Sequence, residues 1–106
     1  MEAKIDNFSS WVHLHDPQLL KTEIEELILN AGFTVLNFME HHFDPQGYTA
    51  VWLLAESHCA LHTFPEEGKS YLELSSCNSD LYVNFIVAFN AYQKKVHENS
   101  SENLAS

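Results

Sequence analysis

Basic residues, cysteines and long apolar runs are all scarce in this sequence. The 106-residue chain carries five Lys and Arg residues against fifteen Asp and Glu residues, giving a formal net charge of -10. So few basic side chains can bind few phosphates, which argues against a nucleic-acid partner. Two cysteines are too few for a structural zinc finger. No apolar run approaches the length of a membrane span, and residues 1–10 lack the basic start and apolar core of a signal peptide.

Hydrophobic residues are plentiful, at 45% of the chain. Such a composition excludes an intrinsically disordered protein. The length predicts a single domain over residues 1–106, large enough for one core but small enough that an associating partner would help.

Sequence patterns predict alternating strands and helices and no internal repeat. A capping box of Thr22 and Glu25 would open the first helix, which ends at Gly32. Ser79 would cap the second helix, and residues 98–106 are expected to form a disordered tail. The order β-α-β-β-β-β-α predicts an α+β fold, a two-layer α/β sandwich with a mainly antiparallel sheet and two helices on one face. The five strands are expected at residues 8–14, 33–43, 48–55, 59–64 and 71–76.

The most informative motif begins at Glu56 and reads Glu-Ser-His-x-x-x-His-Thr-x-Pro-Glu. Cys77 follows fifteen residues after the second histidine of the motif, and the order and spacing of shorter motifs from about residue 16 onward agree with it. This pattern resembles the S-adenosylmethionine decarboxylase proenzyme family, in its short prokaryotic, pyruvoyl-dependent form. The resemblance implies a lyase that decarboxylates S-adenosylmethionine and so provides the aminopropyl donor for spermidine synthesis.

The resemblance also implies that the chain cleaves itself between Glu56 and Ser57. The Ser57 hydroxyl would attack the Glu56 carbonyl and convert the peptide into an ester. A base then removes the serine α proton, and elimination and hydrolysis leave residues 1–56 and a second chain, 57–106, that begins with a pyruvoyl group. His62 resembles that base, because imidazole has a large neutral fraction near pH 7. A structural histidine is the alternative interpretation.

The pyruvoyl group derived from Ser57 is the expected cofactor. It forms a Schiff base with the substrate's amine and takes up the electrons left by carbon dioxide, as pyridoxal phosphate does. Cys77 resembles the proton donor to the product, since a thiol of pKa about 8.5 is largely protonated at neutral pH. Taken alone, a strand cysteine is more often a buried hydrophobe. Cys59 and Cys77 could pair in an oxidising compartment, but a catalytic thiol must stay reduced, so we expect the protein in the cytoplasm.

Three further positions are assigned by the resemblance. Thr49 matches a hydroxyl residue that assists processing, although threonine is also a good strand former. Phe43 matches an aromatic ring that stacks on the substrate's adenine, and its alternative is a core phenylalanine. Glu66 matches a carboxylate that binds the substrate's ribose hydroxyls, and its alternative is a solvated turn residue.

Departures from the family pattern leave other functions open. The segments 9–15 and 75–78 differ from the usual family sequences, so one alternative is a pyruvoyl-dependent decarboxylase of another amino acid, such as ornithine or arginine. Another alternative is a non-processing, metal-binding or regulatory paralogue, since histidine pairs can hold zinc or nickel if the fold brings them together. The main interpretation includes no metal. The pairs are His13 and His15, His41 and His42, and His58 and His62.

Strand geometry and chain length lead to two more predictions. Ser57 and His62 are an odd number of positions apart, which puts them on opposite faces of a regular strand, so a bend or bulge is expected near Ser57. One sheet face or an edge would need a partner, and the resemblance implies a homodimer of cleaved protomers. Trp11, Trp52 and Tyr71 are candidates for the exposed apolar face, with the protomer core as the alternative.

Overall fold

Five strands and two helices make up the part of the chain that the structure describes. The structure is a computed structural model that describes the backbone of residues 4–105 and the side chains of residues 4–99. The architecture confirms the predicted α+β, two-layer sandwich. In chain order the elements are β1 (Asp6–Val12), α1 (Pro17–Ala31), β2 (Val35–His42), β3 (Tyr48–Leu54), β4 (Ser57–Phe64), a short 3-10 helix (Pro65–Glu67), β5 (Lys69–Ser76) and α2 (Ser79–Ala105).

The strands form one antiparallel sheet in the order β1-β5-β4-β3-β2. The middle strand, β4, pairs with β3 and β5 without a register shift on either side. A shift does occur in β2, between Val35 and Asn37. Because β4 is regular, its successive side chains alternate between the two faces of the sheet along its whole length.

The core lies between the sheet and the two helices. On β3, the alternate residues Tyr48, Ala50, Trp52 and Leu54 point toward the helices and are buried. The helices contribute buried residues spaced three or four positions apart, which places them on one face of each helix. These residues are Leu20, Ile24 and Ile28 in α1, and Phe85, Phe89 and Tyr92 in α2.

Helix α1 begins earlier than the sequence patterns indicated. Asp16 is its N-cap, and the carboxylate accepts a 3.1 Å hydrogen bond from the Gln18 backbone N–H. Pro17 follows in the first helical turn, where its fixed φ favours the helix and its missing N–H costs nothing. The predicted start at Thr22 and Glu25 is therefore wrong, because the Asp-Pro pair already provides a cap six residues earlier.

The end of α1 matches its prediction. Gly32 has a φ of 106°, and its backbone N–H donates to the carbonyl oxygens of Ile28 and Leu29. A Cβ atom at this position would lie 2.9 Å from Cδ2 of Leu81 in α2. Glycine is therefore required both by the left-handed backbone and by the close approach of the two helices.

Helix α2 is capped by Asn78, whose side-chain oxygen accepts a 3.1 Å hydrogen bond from the Leu81 backbone N–H. Ser79 was the predicted cap, and this prediction is wrong. Its hydroxyl instead donates to the Asp6 carboxylate of β1, at 3.1 Å. Asn78 is as good a cap as serine, and its side chain lies one residue closer to the end of β5.

Helix α2 extends to Ala105. The disordered tail expected over residues 98–106 stays a prediction. Neither glycine nor proline interrupts residues 79–105, so no local signal ends the helix once it has begun. Within residues 4–105, neither helix combines the length and the apolar character needed to cross a bilayer.

The sheet face opposite the two helices, called the open face below, carries exposed apolar side chains. Trp11 and Leu53 lie on it and are 42% and 50% exposed. Tyr71 lies beside Trp11, with ring centroids 5.2 Å apart. Trp52, the third candidate for an exposed apolar face, is fully buried beneath the helices, and its indole N–H donates to Glu25 at 3.2 Å. It belongs to the core because even-numbered positions of β3 point to the helices.

Candidate active site

The turn between β3 and β4 holds Glu56 in a strained conformation. Its φ is 62°, and among residues 4–105 it is the one residue other than glycine with a positive φ. A left-handed conformation costs a non-glycine residue about 1–2 kcal/mol. The Glu56 carbonyl oxygen accepts a 3.1 Å hydrogen bond from the Cys77 backbone N–H. The connection between β5 and α2 therefore fixes the carbonyl group that precedes Ser57.

Ser57 begins β4 on the helix-covered face and is only 8% exposed. Its hydroxyl donates a 2.8 Å hydrogen bond to Oγ of Ser76, its partner in the adjacent strand β5. Cys77 is exposed, and together with Glu56 and Ser57 it lines a cavity of about 480 Å³. The structure thus brings three of the predicted residues together. Glu56, Ser57 and Cys77 are called the Ser57 half-site below.

His62 lies on the open face toward the other end of β4. Thr49, directly opposite it on β3, has its hydroxyl oxygen 3.0 Å from His62 Nδ1. Tyr71 stands opposite His62 on the other neighbour, β5. Because Thr49 engages Nδ1, the ring is oriented and Nε2 is the nitrogen left for proton transfer.

Phe43 and Glu66 line a cavity of about 270 Å³ together with Thr49 and His62. The Phe43 ring is 51% exposed, so it is not a core phenylalanine. Glu66 follows β4 in the 3-10 helix, and its carboxylate accepts a 3.4 Å hydrogen bond from the Gln46 side-chain amide. The four predicted residues Phe43, Thr49, His62 and Glu66 are called the His62 half-site below.

The two half-sites do not meet within one chain. Ser57 and His62 lie on opposite faces of a regular strand, and their five-residue separation corresponds to about 16 Å at about 3.3 Å per residue. The bend or bulge predicted near Ser57 is wrong, because β4 is paired on both sides and a bulge would disrupt two ladders at once. The strained residue lies one position earlier, at Glu56 in the turn.

The histidine pairs do not form a metal site in the described part of the chain. Among those residues, no three His, Cys, Asp or Glu side chains are grouped as a metal ion requires. The thiols of Cys59 and Cys77 are both free. Cys59 is fully buried in the core, and this burial raises the pKa of its thiol.

Sequence reasoning missed two residues that contact the predicted ones. Ser76 bonds to the Ser57 hydroxyl, and Tyr71 lies opposite His62. Both contacts depend on the register between β4 and β5, which no local sequence pattern specifies. The signal that was available for Ser76 is its position as a hydroxyl residue directly before Cys77.

Comparisons with known proteins identify the family of this chain. A family model described as S-adenosylmethionine decarboxylase matches residues 8–102. The S-adenosylmethionine decarboxylase proenzyme of Prochlorococcus marinus is 44% identical over 64 residues, which are 60% of this chain and 51% of that protein. The proenzyme of Brevibacillus brevis is 42% identical over 64 residues, 60% and 48% of the two chains. That of Thermotoga maritima is 32% identical over 68 residues, 64% and 52% of the two chains.

The chain spans about half the length of the curated relatives that it matches. The crystal structure of the adenosylmethionine decarboxylase from Aquifex aeolicus has the same fold, with a TM-score of 0.64 over 85% of this chain and 77% of that one, at 19% identity. The family model covers most of the chain, from β1 into α2. The chain therefore belongs to the S-adenosylmethionine decarboxylase family.

Proposed function

We propose that this chain is a self-processing, pyruvoyl-dependent decarboxylase of S-adenosylmethionine. It cleaves itself between Glu56 and Ser57, Ser57 becomes the pyruvoyl group, and the mature enzyme makes the aminopropyl donor for spermidine synthesis. Family membership supports this proposal, as does the name of the relatives, S-adenosylmethionine decarboxylase proenzyme. The observation that carries it is the geometry of the Glu56–Ser57 peptide.

Two features of that peptide favour an acyl shift. The left-handed φ of Glu56 is relieved if the peptide bond after it breaks. The Cys77 backbone N–H already binds the Glu56 carbonyl oxygen at 3.1 Å, and this donor stabilises the negative charge that develops there when Ser57 Oγ attacks. In the shift, a bond forms between Ser57 Oγ and the Glu56 carbonyl carbon, the peptide C–N bond breaks, and the hydroxyl proton passes to the nitrogen.

The remaining steps divide between His62 and Cys77. His62, held by Thr49 through Nδ1, removes the Ser57 α proton with Nε2, so that the main-chain α-carboxylate of Glu56 leaves as the ester breaks. The dehydroalanine left at position 57 tautomerises to an imine, which takes up water and releases ammonia to give the pyruvoyl group. Once formed, the pyruvoyl group supplies an electrophilic carbonyl that binds the substrate's amine and accepts the electrons left by carbon dioxide. The exposed Cys77 thiol beside it then gives a proton to the product carbon.

A homodimer is part of the proposal, because one chain does not bring its two half-sites together. A base must come within about 3 Å of the proton that it removes, but His62 lies on the other face of the sheet and about 16 Å along β4 from Ser57. The His62 half-site of a second copy satisfies this requirement. Exposed apolar residues on the open face, including Trp11, Val51 and Leu53, favour association through that face.

The His62 half-site also offers groups for S-adenosylmethionine. The exposed ring of Phe43 provides a stacking surface for adenine, and the carboxylate of Glu66 accepts hydrogen bonds from ribose hydroxyls. The net charge of -10 attracts the substrate's sulfonium cation. These contacts lie away from the reacting carbon, and such remote contacts select the substrate.

The test follows the intact mass of the purified protein over time and then carbon dioxide release. Wild type should yield two fragments that meet at residues 56 and 57, and the second should carry a pyruvoyl group in place of its serine. Ser57→Ala should remain intact because it has no nucleophile. Persistence of only the 12.1 kDa species in wild type would refute self-processing.

Cleaved protein is next given labelled S-adenosylmethionine, ornithine or arginine in parallel. Release from S-adenosylmethionine alone is the expected result. Release from a basic amino acid but not from S-adenosylmethionine would overturn the substrate assignment while preserving the pyruvoyl mechanism.

A further inference from the structure

We infer that Ser76 is a positioning residue for self-cleavage, which orients the Ser57 hydroxyl for its attack on Glu56. This inference rests on the proposed function. The two serines are cross-strand partners in β4 and β5, with a hydroxyl to hydroxyl distance of 2.8 Å. Both are buried, at 8% and 1% exposure. Water therefore has little access to the hydrogen bond between them.

The other contacts of Ser76 fix the direction of that hydrogen bond. Ser76 Oγ donates to the Asn78 carbonyl oxygen at 3.1 Å, which uses its single proton. It also accepts a 3.0 Å hydrogen bond from the Asn78 backbone N–H, which uses one of its two lone pairs. Only one lone pair remains, so Ser57 must be the donor in the bond that joins the two side chains.

This direction has a chemical consequence for Ser57. Because the Ser57 hydroxyl donates its hydrogen to Ser76, neither lone pair of its oxygen is used in that hydrogen bond. One of these lone pairs is available to attack the Glu56 carbonyl carbon. The neighbouring residue, Cys77, binds the Glu56 carbonyl oxygen through its N–H. Consecutive residues at the end of β5 thus hold the nucleophile and the electrophile of the same reaction. Ser76 accepts this hydrogen bond until the new bond forms and the hydroxyl proton of Ser57 passes to the Ser57 nitrogen.

The experiment measures ester formation, the step in which Ser76 would act. Because His62→Ala blocks the later step, this background accumulates the Glu56–Ser57 ester, which hydroxylamine cleaves. In that background Ser76→Ala should form the ester at least about tenfold more slowly, since small misplacements of reacting groups carry costs up to about 10²-fold. Ser76→Thr keeps the hydroxyl and should stay close to the parent rate.

Ser70→Ala is the matched control. Ser70 lies on the same face of β5, is fully buried, and donates a 2.7 Å hydrogen bond to the Leu14 carbonyl oxygen. The Ser70→Ala variant therefore loses an equivalent buried hydroxyl that does not contact Ser57, and it should form the ester at the parent rate. If Ser76→Ala does not fold, Ser76→Cys replaces it, since cysteine is readily buried and bonds only weakly. It should also be slow.

The outcomes separate this inference from the proposed function. Parent-like ester formation in folded Ser76→Ala or Ser76→Cys would overturn the role of Ser76 and leave self-cleavage intact. Equal slowing in Ser70→Ala and Ser76→Ala would also overturn it, because loss of stability would then account for both. Absence of ester and of cleavage in the parent would refute the proposed function, and the inference about Ser76 with it.

Discussion

Mixing two inactive variants tests whether the two half-sites act together across a dimer. Ser57→Ala has no nucleophile, and His62→Ala has no base, so neither should mature alone. The loss of a general base costs about 10²- to 10⁴-fold in rate. Within one chain, His62 lies about 16 Å from Ser57 along β4 and on the opposite face. No rotamer of a histidine spans that distance, so His62 can act on Ser57 of its own chain only if β4 unpairs.

A mixed dimer contains one complete pair of half-sites. The His62→Ala chain contributes Ser57, and the Ser57→Ala chain contributes His62. Random pairing at equal concentrations places about half of the His62→Ala chains opposite a Ser57→Ala chain. Those chains should mature, and every fragment should come from the His62→Ala chain. A tag on one variant and intact-mass spectrometry after co-refolding identify the source of the fragments.

The control replaces Ser57→Ala by the double variant Ser57→Ala, His62→Ala, which removes His62 from every chain in the mixture and should abolish the rescue. If the original mixture matures no faster than His62→Ala alone, although mixed dimers are present by affinity capture through the tag, the division of the site between two chains is incorrect. Maturation of His62→Ala alone at the wild-type rate would instead show that this histidine is not the base.

Two further predictions concern the proton donor and the core. Cys77→Ala should cleave normally, because alanine keeps the backbone N–H that binds the Glu56 carbonyl. Its carbon dioxide release should fall about 10²- to 10⁴-fold, because the proton donor is missing. Fragment masses and carbon dioxide release, measured on one preparation, check the two expectations. Tyr48→Phe should lower the thermal midpoint at neutral pH, because the Tyr48 hydroxyl donates a 2.7 Å hydrogen bond to Glu40 and this bond, together with one from Lys21, lowers the pKa of the Glu40 carboxyl. A carboxyl group whose pKa is lowered by folding stabilises the protein at pH values above its pKa in the unfolded chain. This stabilisation is lost as the pH falls through the pKa of the folded state. The difference in thermal midpoint between wild type and Tyr48→Phe should therefore narrow below about pH 4. A constant difference into acid would contradict this.

Local signals in the sequence predicted the fold class and several boundaries. The end of α1 at Gly32 follows from the backbone conformation of one residue, and helix closure by glycine is a local property. The start of α1 was wrong because two local signals competed. Asp16 with Pro17 and Thr22 with Glu25 both resemble helix starts, and only packing against the sheet decides between them.

The candidate site shows a different limit of sequence reasoning. Strand periodicity correctly placed Ser57 and His62 on opposite faces. The predicted remedy, a bulge, was wrong because periodicity carries no information about the pairing of β4 on both sides. The contact between Ser57 and Ser76 joins residues 19 positions apart and depends on strand register. Such contacts follow from the assembled sheet and not from any window of the sequence.

The buried position of Ser57 links two requirements of the proposed chemistry. An ester at this position must persist until elimination, and burial beneath the helices keeps water away from it. On the helix-covered face the neighbours of Ser57 are the core and Ser76, and His62 lies on the other face, so the chain's own His62 does not reach the ester. The open face is the side from which another molecule can approach β4. Protection of the ester and dependence on a second copy therefore have one structural cause, the placement of the nucleophile on the covered face of the middle strand.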